Sequence, residues 1–206
     1  YDALCLKLAS RGYVAATITY RLAPQHKFPA AIHDTKAAVR WLRANAAKYN
    51  IAPDAIGVTG GSAGGHLAQF LGVTAHVPQF EGDGGNANQS SQVTCVVNVY
   101  GPSDFTKSYG KSVDAHEVLP LWLGGNLDTA RKIHIQASPL YWVTPNAAPT
   151  CSAAARMPGC RRAVSWLVPA AIRKAAPMGC RGGSRVTICR LPCSPAECLA
   201  RIRSSG

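Results

Sequence analysis

Three apolar runs rich in β-branched residues constrain this chain more than any other feature. They occupy residues 13–20 (YVAATITY), 55–60 (AIGVTG) and 93–100 (VTCVVNVY). Strands that are apolar along their whole length are covered on both faces, as in parallel sheets. Segments with helical periodicity separate the runs, so right-handed crossovers would place helices on both faces of one parallel sheet. The sequence therefore predicts an α/β fold.

The segment 30–49 is predicted to be an amphipathic helix. Its apolar stripe consists of Ile32, Val39, Leu42, Ala46 and Tyr49. Its basic residues are expected to point away from that stripe. They are Lys36, Arg40, Arg43 and Lys48. A second helix is predicted to begin at Ser62 and to run to about residue 76.

The chain divides near residue 150 into two segments of different composition. Residues 1–150 carry a net charge of +3, whereas residues 151–206 carry +9 and hold six of the eight cysteines. We expect a partial α/β domain over 1–150 and a basic, Cys- and Arg-rich tail over 151–206. The first residues contain neither an initiator Met nor a signal-peptide pattern. We therefore expect the N-terminus of a longer protein to be missing, which leaves the compartment undetermined.

Four interpretations of the tail 151–206 remain open. Its nine arginines could form a basic arm for nucleic acid or an anionic membrane, or its cysteines a disulfide framework. A zinc site fits poorly, because the spacings C-x8-C, C-x3-C and C-x4-C come without a histidine. We favour a frame-shifted translation, since acids and histidine disappear together and no hydrophobic period persists. The tail is then expected to be aberrant and poorly ordered, with no nucleic-acid partner and no membrane span.

The short stretch Gly-Gly-Ser-Ala-Gly at residues 60–64 fits the pattern G-x-S-x-G, which follows a predicted buried strand and opens a predicted helix. In that context the pattern predicts a nucleophilic serine, Ser62, on a strained turn above the sheet edge. The flanking glycines avoid clashes there, and the backbone N–H of Ala63 would donate to an oxyanion. Two alternatives are that Ser62 is an ordinary helix N-cap, or that the glycines form a phosphate loop. The second lacks the G-x-G-x-x-G spacing.

Several ordered blocks resemble the hormone-sensitive-lipase-like branch of the α/β-hydrolases, and within it bacterial esterases with acetyl- and feruloyl-esterase-like domains. The blocks are YRLAP (20–24), FPAAIHD (28–34), AVRWLRANA (38–46), GGSAGGHLA (60–68) and YGPSDFT (100–106). The resemblance covers about residues 1–150. It implies a partial α/β-hydrolase fold whose first strands precede Tyr1. It also implies Ser62 as nucleophile, the Ala63 N–H as oxyanion donor, and hydrolysis of a small ester without metal or cofactor.

The same resemblance implies groups that this chain lacks. The family's His-Gly-Gly oxyanion motif would lie before Tyr1, and after Thr150 the chain has one acid, Glu197, and no histidine. The order Ser, Asp, His cannot be completed in this chain. By its family we expect a serine carboxylesterase of short acyl esters, such as acetyl or feruloyl esters of polysaccharide. Because the triad is incomplete, we expect this chain itself to be nearly inactive.

The histidines that are present are not assigned to catalysis. His66 lies four residues after Ser62 on the same predicted helix, and we expect it to be a half-buried structural residue. The others are His26, His33, His76, His116 and His134. The alternative function is a catalytically silent hydrolase-like domain whose basic tail binds an acidic partner. The oligomeric state stays open.

Overall fold

The computed structural model describes residues 2–109 and 115–153, with three further strand segments at 165–169, 186–189 and 200–201. The helices are α1 (Asp2–Ala9), α2 (Ala30–Ala44), α3 (Ala46–Tyr49), α4 (Ala63–Val73), α5 (Ala115–Leu123) and α6 (Arg131–Gln136). The strands are β1 (Ala15–Ile18), β2 (Ile56–Gly61), β3 (Cys95–Val99), β4 (Thr150–Ala153), β5 (Ser165–Pro169), β6 (Val186–Cys189) and β7 (Ala200–Arg201). Short 3-10 helices lie at Pro78–Phe80, Phe105–Lys107 and Pro139–Trp142.

The strands form one sheet in the order β4-β3-β2-β5-β1-β6-β7. The first five strands in this order run parallel, while β6 and β7 are antiparallel to their neighbours. The three apolar runs form β1, β2 and β3, so the predicted parallel sheet is confirmed. β5 separates β1 from β2, because Leu167 pairs with Ala16 on one side and with Val58 on the other.

Most of the tail lies outside the described residues, apart from β5, β6, β7 and the last residues of β4. The division of the chain near residue 150 and the frame-shifted origin of the tail therefore stay predictions. So does the expectation that the tail is poorly ordered. No helix in the described ranges combines the length and the hydropathy that crossing a bilayer requires.

Helices cover both faces of the sheet. On one face Ala15 of β1 packs with Cys5 and Ala9 of α1. The next residues along β1 point to the opposite face, where Ala16 and Ile18 join the main core. That core includes Val39 and Leu42 of α2, Ile56 and Val58 of β2, and Leu71 of α4. Burial on both sides explains why β1 and β2 are apolar along their whole length.

The predicted helix over residues 30–49 is divided at Asn45 into α2 and α3. Its apolar stripe is buried as predicted, with Ile32 and Val39 fully inaccessible. The expectation that its basic residues point away from the core is wrong for two of them. Lys36 is 0% exposed and Arg40 is 2% exposed.

Lys36 and Arg40 are buried because the connection from α4 to β3 folds over the outer side of α2. Lys36 Nζ donates to Thr74 O at 2.6 Å and lies 2.7 Å from Glu81 Oε1. Arg40 NH1 lies 2.7 Å from Glu81 Oε2 and donates to Glu81 O at 2.9 Å. Ser91 Oγ donates to Glu81 Oε1 at 2.7 Å. One carboxylate thus ties two basic side chains of α2 to the connection.

The charge of Glu81 offsets part of the positive charge of Lys36 and Arg40. Burial lowers the pKa of Lys36, while the hydrogen bond and the charge of Glu81 oppose that shift. Burial acts to raise the pKa of Glu81, but hydrogen bonds from Lys36 and Ser91, and the charges of Lys36 and Arg40, outweigh it and lower the pKa. Glu81 is therefore ionised at neutral pH, and removing Glu81 would leave the buried Lys36 and Arg40 without their carboxylate partner.

Replacing Lys36 by Met keeps most of the length of the side chain and removes its charge and hydrogen bonds. We expect Lys36→Met to lower the free energy of unfolding by about 1.5–3 kcal/mol, because Thr74 O and Glu81 each lose a charged donor. Urea denaturation followed by circular dichroism at neutral pH measures this loss.

The matched control is Lys132→Met, since Lys132 is exposed on α6. Substitution of an exposed residue should change the free energy of unfolding by less than about 0.5 kcal/mol. Equal effects of the two substitutions would show that the cluster does not stabilise the fold.

Candidate active site

Ser62 occupies the turn between β2 and α4 with an uncommon backbone conformation. Its φ is 54° and its ψ is −120°, and a positive φ is strained for a residue with a Cβ. The N–H of Ser62 donates to Val99 O at 3.0 Å. Its side chain is exposed and makes no capping hydrogen bond to α4. The geometry therefore does not favour the alternative of an ordinary N-cap. The element boundaries also differ from the expectation, since β2 continues to Gly61 and α4 begins at Ala63.

The glycines around Ser62 permit a close approach of backbones. A Cβ on Gly60 would lie 2.4 Å from the carbonyl carbon of Gly64. A Cβ on Gly65 would lie 2.6 Å from Asn98 Oδ1 and 2.9 Å from the Cα of Gly101. Real Cβ atoms do not approach backbone this closely, so side chains are excluded at these positions.

The turn after β3 packs against the start of α4, next to the turn that carries Ser62. The N–H of Gly101 donates to Asn98 Oδ1 at 2.7 Å, and Tyr100 has a φ of 47°. A Cβ on Gly101 would lie 2.3 Å from the carbonyl carbon of Gly65 and 2.4 Å from the nitrogen of His66. Gln69 Nε2 donates to Gly101 O at 3.1 Å. Asn98 and Gln69 are thus residues that the sequence analysis missed.

The first turn of α4 lies directly beside the Ser62 hydroxyl. Ala63 is exposed and is the first residue of α4, so its N–H is among those that no earlier helical turn can satisfy. These groups and the helix dipole give this end of α4 a partial positive charge. The arrangement can stabilise negative charge that develops next to Ser62.

His66 is buried more completely than expected, at 2% exposure. Its Nε2 lies 2.7 Å from Ala137 O, to which it donates. Its ring packs against Phe105 and Trp122, with centroid distances of 4.7 and 5.4 Å. Burial lowers the pKa of His66 to about 4, although the hydrogen bond to Ala137 opposes the shift. Such a ring is a weak base at neutral pH, which agrees with a structural role.

The other five histidines all lie in the described part of the chain. His134 is fully buried, and its Nε2 lies 2.8 Å from the hydroxyl of Tyr109. His33 Nε2 lies 3.4 Å from Gln79 O. Three are exposed: His26, His76 and His116. Among the described residues, His66 is the one histidine that lines the cavity beside Ser62.

Ser62 lines a cavity of about 610 Å³. Its walls are mainly apolar and come from α5 and from the loops that follow β1 and β3. They include Leu22, Phe105, Val118, Leu119, Leu121 and Trp122. The sequence analysis gave the segment that forms α5 no part in the site, because no local pattern links it to Ser62.

Arg21 at the edge of this cavity is held by an ion pair. Its NH2 lies 2.9 Å from Asp34 Oδ1, its Nε lies 3.0 Å from the same oxygen, and its backbone N–H donates to Asp34 Oδ2 at 2.7 Å. The hydrogen bond that Arg21 donates to Asp34 raises the pKa of Arg21. The pair joins the loop after β1 to α2 and fixes one side of the cavity.

A parallel α/β sheet with an exposed serine on a strained strand-to-helix turn, beside an apolar cavity, defines a protein of the α/β-hydrolase type. The BD-FAE family model matches residues 1–154, and the chain belongs to that family. The resemblance to hormone-sensitive-lipase-like esterases is thereby confirmed.

Similar proteins of known name are carboxylic ester hydrolases. Esterase LipC of Mycobacterium tuberculosis is 36% identical over 151 residues, which cover 71% of this chain and 37% of the relative. Neutral cholesterol ester hydrolase 1 of Mus musculus is 34% identical over 140 residues, which cover 62% of this chain and 33% of the relative. The chain therefore spans about a third of the length of these relatives.

Solved structures of carbohydrate esterases share the fold. A truncated form of a carbohydrate esterase from gut microbiota has a TM-score of 0.60 and 28% identity, over 73% of this chain and 63% of that one. The bifunctional GH43-CE protein of Bacteroides eggerthii has a TM-score of 0.58 and 34% identity, over 65% of this chain and 19% of that one.

The close packing at Gly101 predicts a large effect of a single methyl group. We expect Gly101→Ala to lower the free energy of unfolding by about 3 kcal/mol or more, because the new Cβ would overlap the backbone of α4. Urea denaturation measures the loss. If the variant does not fold, its circular dichroism spectrum shows that directly.

Gly12→Ala is the matched control. Gly12 has a φ of 85°, but a Cβ there would meet nothing within 4 Å, so only backbone strain of about 1–2 kcal/mol is expected. A loss at Gly101 no larger than that at Gly12 would contradict the close approach.

Proposed function

We propose that the chain carries the nucleophile of a serine carboxylesterase, with Ser62 as the attacking residue. The observation that carries this proposal is the conformation of Ser62, whose strained backbone leaves an exposed hydroxyl at the edge of a cavity. Strain of this kind persists at sites where the surrounding structure enforces it. The family supports the reaction class, since its named relatives are ester hydrolases.

In the proposed reaction, Ser62 Oγ attacks the carbonyl carbon of an ester, and the carbonyl oxygen becomes an oxyanion. The N–H of Ala63, at the positive end of α4, would donate to that oxyanion. Collapse of the intermediate breaks the bond to the alcohol and leaves an acyl group on Ser62, which water removes in a second step. The substrates we propose are short acyl esters, with acetyl or feruloyl esters of polysaccharide as one class.

Rapid turnover also needs a base that takes the proton from Ser62. After Thr150 this chain has no histidine, and His66 is committed to Ala137 with a pKa of about 4. We therefore propose that the chain itself turns over slowly, because a serine without its base retains only the rate that binding and the oxyanion donors provide.

Phosphonylation tests the nucleophile without requiring turnover. Attack of Ser62 Oγ on a fluorophosphonate forms an O–P bond, releases fluoride and gives the proton to solvent. We expect Ser62 to be modified about tenfold or more faster than other exposed serines, because the end of α4 stabilises the developing charge. Peptide mapping by mass spectrometry gives the rate at each serine.

Ser10 and Ser90 are internal controls, since both are exposed and neither begins a helix. Ser62→Ala should lose the fast adduct and keep the slow ones. Equal rates at Ser62, Ser10 and Ser90 would refute the proposed nucleophile.

Hydrolysis of p-nitrophenyl acetate tests whether this chain lacks a base that activates Ser62. After any single acylation of Ser62, the wild-type chain and Ser62→Ala should show the same slow, non-saturable steady-state rate, because His66 is buried and bound to Ala137 O and cannot act as the base. Saturable hydrolysis that disappears in Ser62→Ala would show that this chain contains a working base, and the proposed near-inactivity would then be wrong.

A further inference from the structure

A second cavity, of about 230 Å³, lies at the C-terminal end of α4. One side is formed by the end of α4 and the residues after it, between 72 and 77, and the other by residues between 141 and 146. Among the described residues, none lines both this cavity and the one beside Ser62. The two cavities lie at opposite ends of α4, which is about 16 Å long for its 11 residues at ~1.5 Å per residue.

Two consecutive aromatic residues, Tyr141 and Trp142, form part of the wall of the second cavity. Trp142 Nε1 donates to Gln136 O at 2.8 Å, and the Trp142 ring meets that of Phe80 edge-to-face, with the centroids 5.0 Å apart. The hydroxyl of Tyr141 lies 3.4 Å from Thr106 Oγ1, while Tyr141 remains 49% exposed. Contacts within the protein therefore hold both rings in place, and Tyr141 still presents apolar surface to solvent.

The loop that closes the cavity is tied to the end of α4. The N–H of Ala148 donates to Gly72 O at 2.9 Å, and the N–H of Ala147 donates to Thr144 O at 3.0 Å. The second bond closes a turn within the loop, and the first joins that turn to the helix. Both sides of the cavity are thus formed before any ligand binds, which lowers the entropy lost on binding.

Three polar side chains complete the lining: His76, Thr144 and Asn146. All three residues are exposed, and in the described part of the chain their side chains neither donate nor accept a hydrogen bond within the protein. Together they offer both donors and acceptors to a ligand. Among the described residues that line this cavity there is no Asp, Glu, Lys or Arg. The lining therefore matches an uncharged ligand that forms hydrogen bonds.

The volume and the mixed lining indicate which uncharged ligand fits. At ~30 Å³ per water molecule, about 230 Å³ corresponds to about eight waters, which is close to the size of one sugar ring. The C–H groups on one face of a pyranose can pack against an aromatic ring, while its hydroxyls bond to polar side chains. An aliphatic chain would instead remove water from the polar side chains without replacing its hydrogen bonds.

We propose that the second cavity binds one uncharged sugar ring of a polysaccharide. The sugar packs against the ring of Tyr141, and His76, Thr144 and Asn146 bind its hydroxyls. This inference goes beyond the proposed function, because it does not require Ser62 to react. A polysaccharide bound in the second cavity, with an ester that reaches Ser62, would be held at both ends of α4. Binding at one end raises the effective concentration of the ester at the other.

Isothermal titration calorimetry on the full chain tests the proposal with three uncharged hexasaccharides. They consist of β-1,4-linked xylose, glucose or mannose. We expect saturable binding of at least one of them, with a Kd of about 1 mM or lower. The hexasaccharide that binds most tightly is then used for the variants.

Tyr141 provides a pair of variants that separates the ring from its hydroxyl. Tyr141→Ala should weaken binding about five- to tenfold, because the sugar loses the surface against which it packs. Tyr141→Phe keeps that surface and should bind within about twofold of the wild type. Asn146→Ala should weaken binding about threefold or more, since hydrogen bonds to the sugar are lost. Both positions are exposed, and circular dichroism verifies that each variant is folded.

Two matched controls lie outside the second cavity. Leu140→Ala changes a neighbouring residue that is 50% exposed and does not line it. Tyr100→Ala removes an aromatic ring that is 70% exposed at the cavity beside Ser62. Both controls should bind the hexasaccharide as the wild type does.

Three results would overturn the proposal: no binding of any hexasaccharide, equal affinities of Tyr141→Ala and Leu140→Ala, or a loss in Tyr100→Ala that Tyr141→Ala does not show. The last result would place the sugar beside Ser62. Sugar binding that depends on Tyr141, without selective phosphonylation of Ser62, would refute the proposed function and keep the second site. Selective phosphonylation without sugar binding would refute the second site and keep the proposed function.

Discussion

At the end of β2, the backbone of residues 60–65 and that of Gly101 approach so closely that no Cβ can fit at Gly60, Gly65 or Gly101. The hydrogen bond from Ser62 N–H to Val99 O closes this arrangement and leaves Ser62 with a φ of 54°. The strain at one residue is thus offset by packing at several others. Without that packing, a serine before a helix would turn its hydroxyl toward the free N–H groups of the first turn.

The rest of the site follows from the position of that turn. Because α4 starts at Ala63, its positive end lies beside the exposed hydroxyl. Because α4 continues into the core, His66 is directed to Ala137 and to a cluster of aromatic rings rather than to solvent. Trp122 belongs to the same cluster. Its ring contact therefore helps to bury His66 and also forms part of the wall of the cavity.

Much of this architecture could be predicted from local sequence patterns. The apolar runs of β1, β2 and β3 and the stripe of α2 are short-range signals, and the structure contains them. The burial of Lys36 and Arg40 could not be predicted, because it depends on Glu81, which lies 41 residues beyond Arg40. Helical periodicity describes one face of a helix and contains no information about a loop that folds over the other.

The site likewise combines features that local sequence patterns predict with features that depend on distant segments. The pattern around Ser62 and its place between a strand and a helix are readable in ten consecutive residues. The cavity wall formed by α5 and the support of Gly101 by Asn98 and Gln69 arise only when distant segments meet. The pairing of β5 between β1 and β2 is another long-range feature that no local pattern in residues 165–169 indicated.

The backbone conformation of Ser62 in a crystal structure would test most directly whether this residue is held with its hydroxyl exposed. We expect a φ close to 54°, with Oγ facing the cavity beside α5 and free of the α4 N–H groups. A negative φ with Oγ accepting a hydrogen bond from the first turn of α4 would make Ser62 a helix cap and rule out its role as an exposed nucleophile.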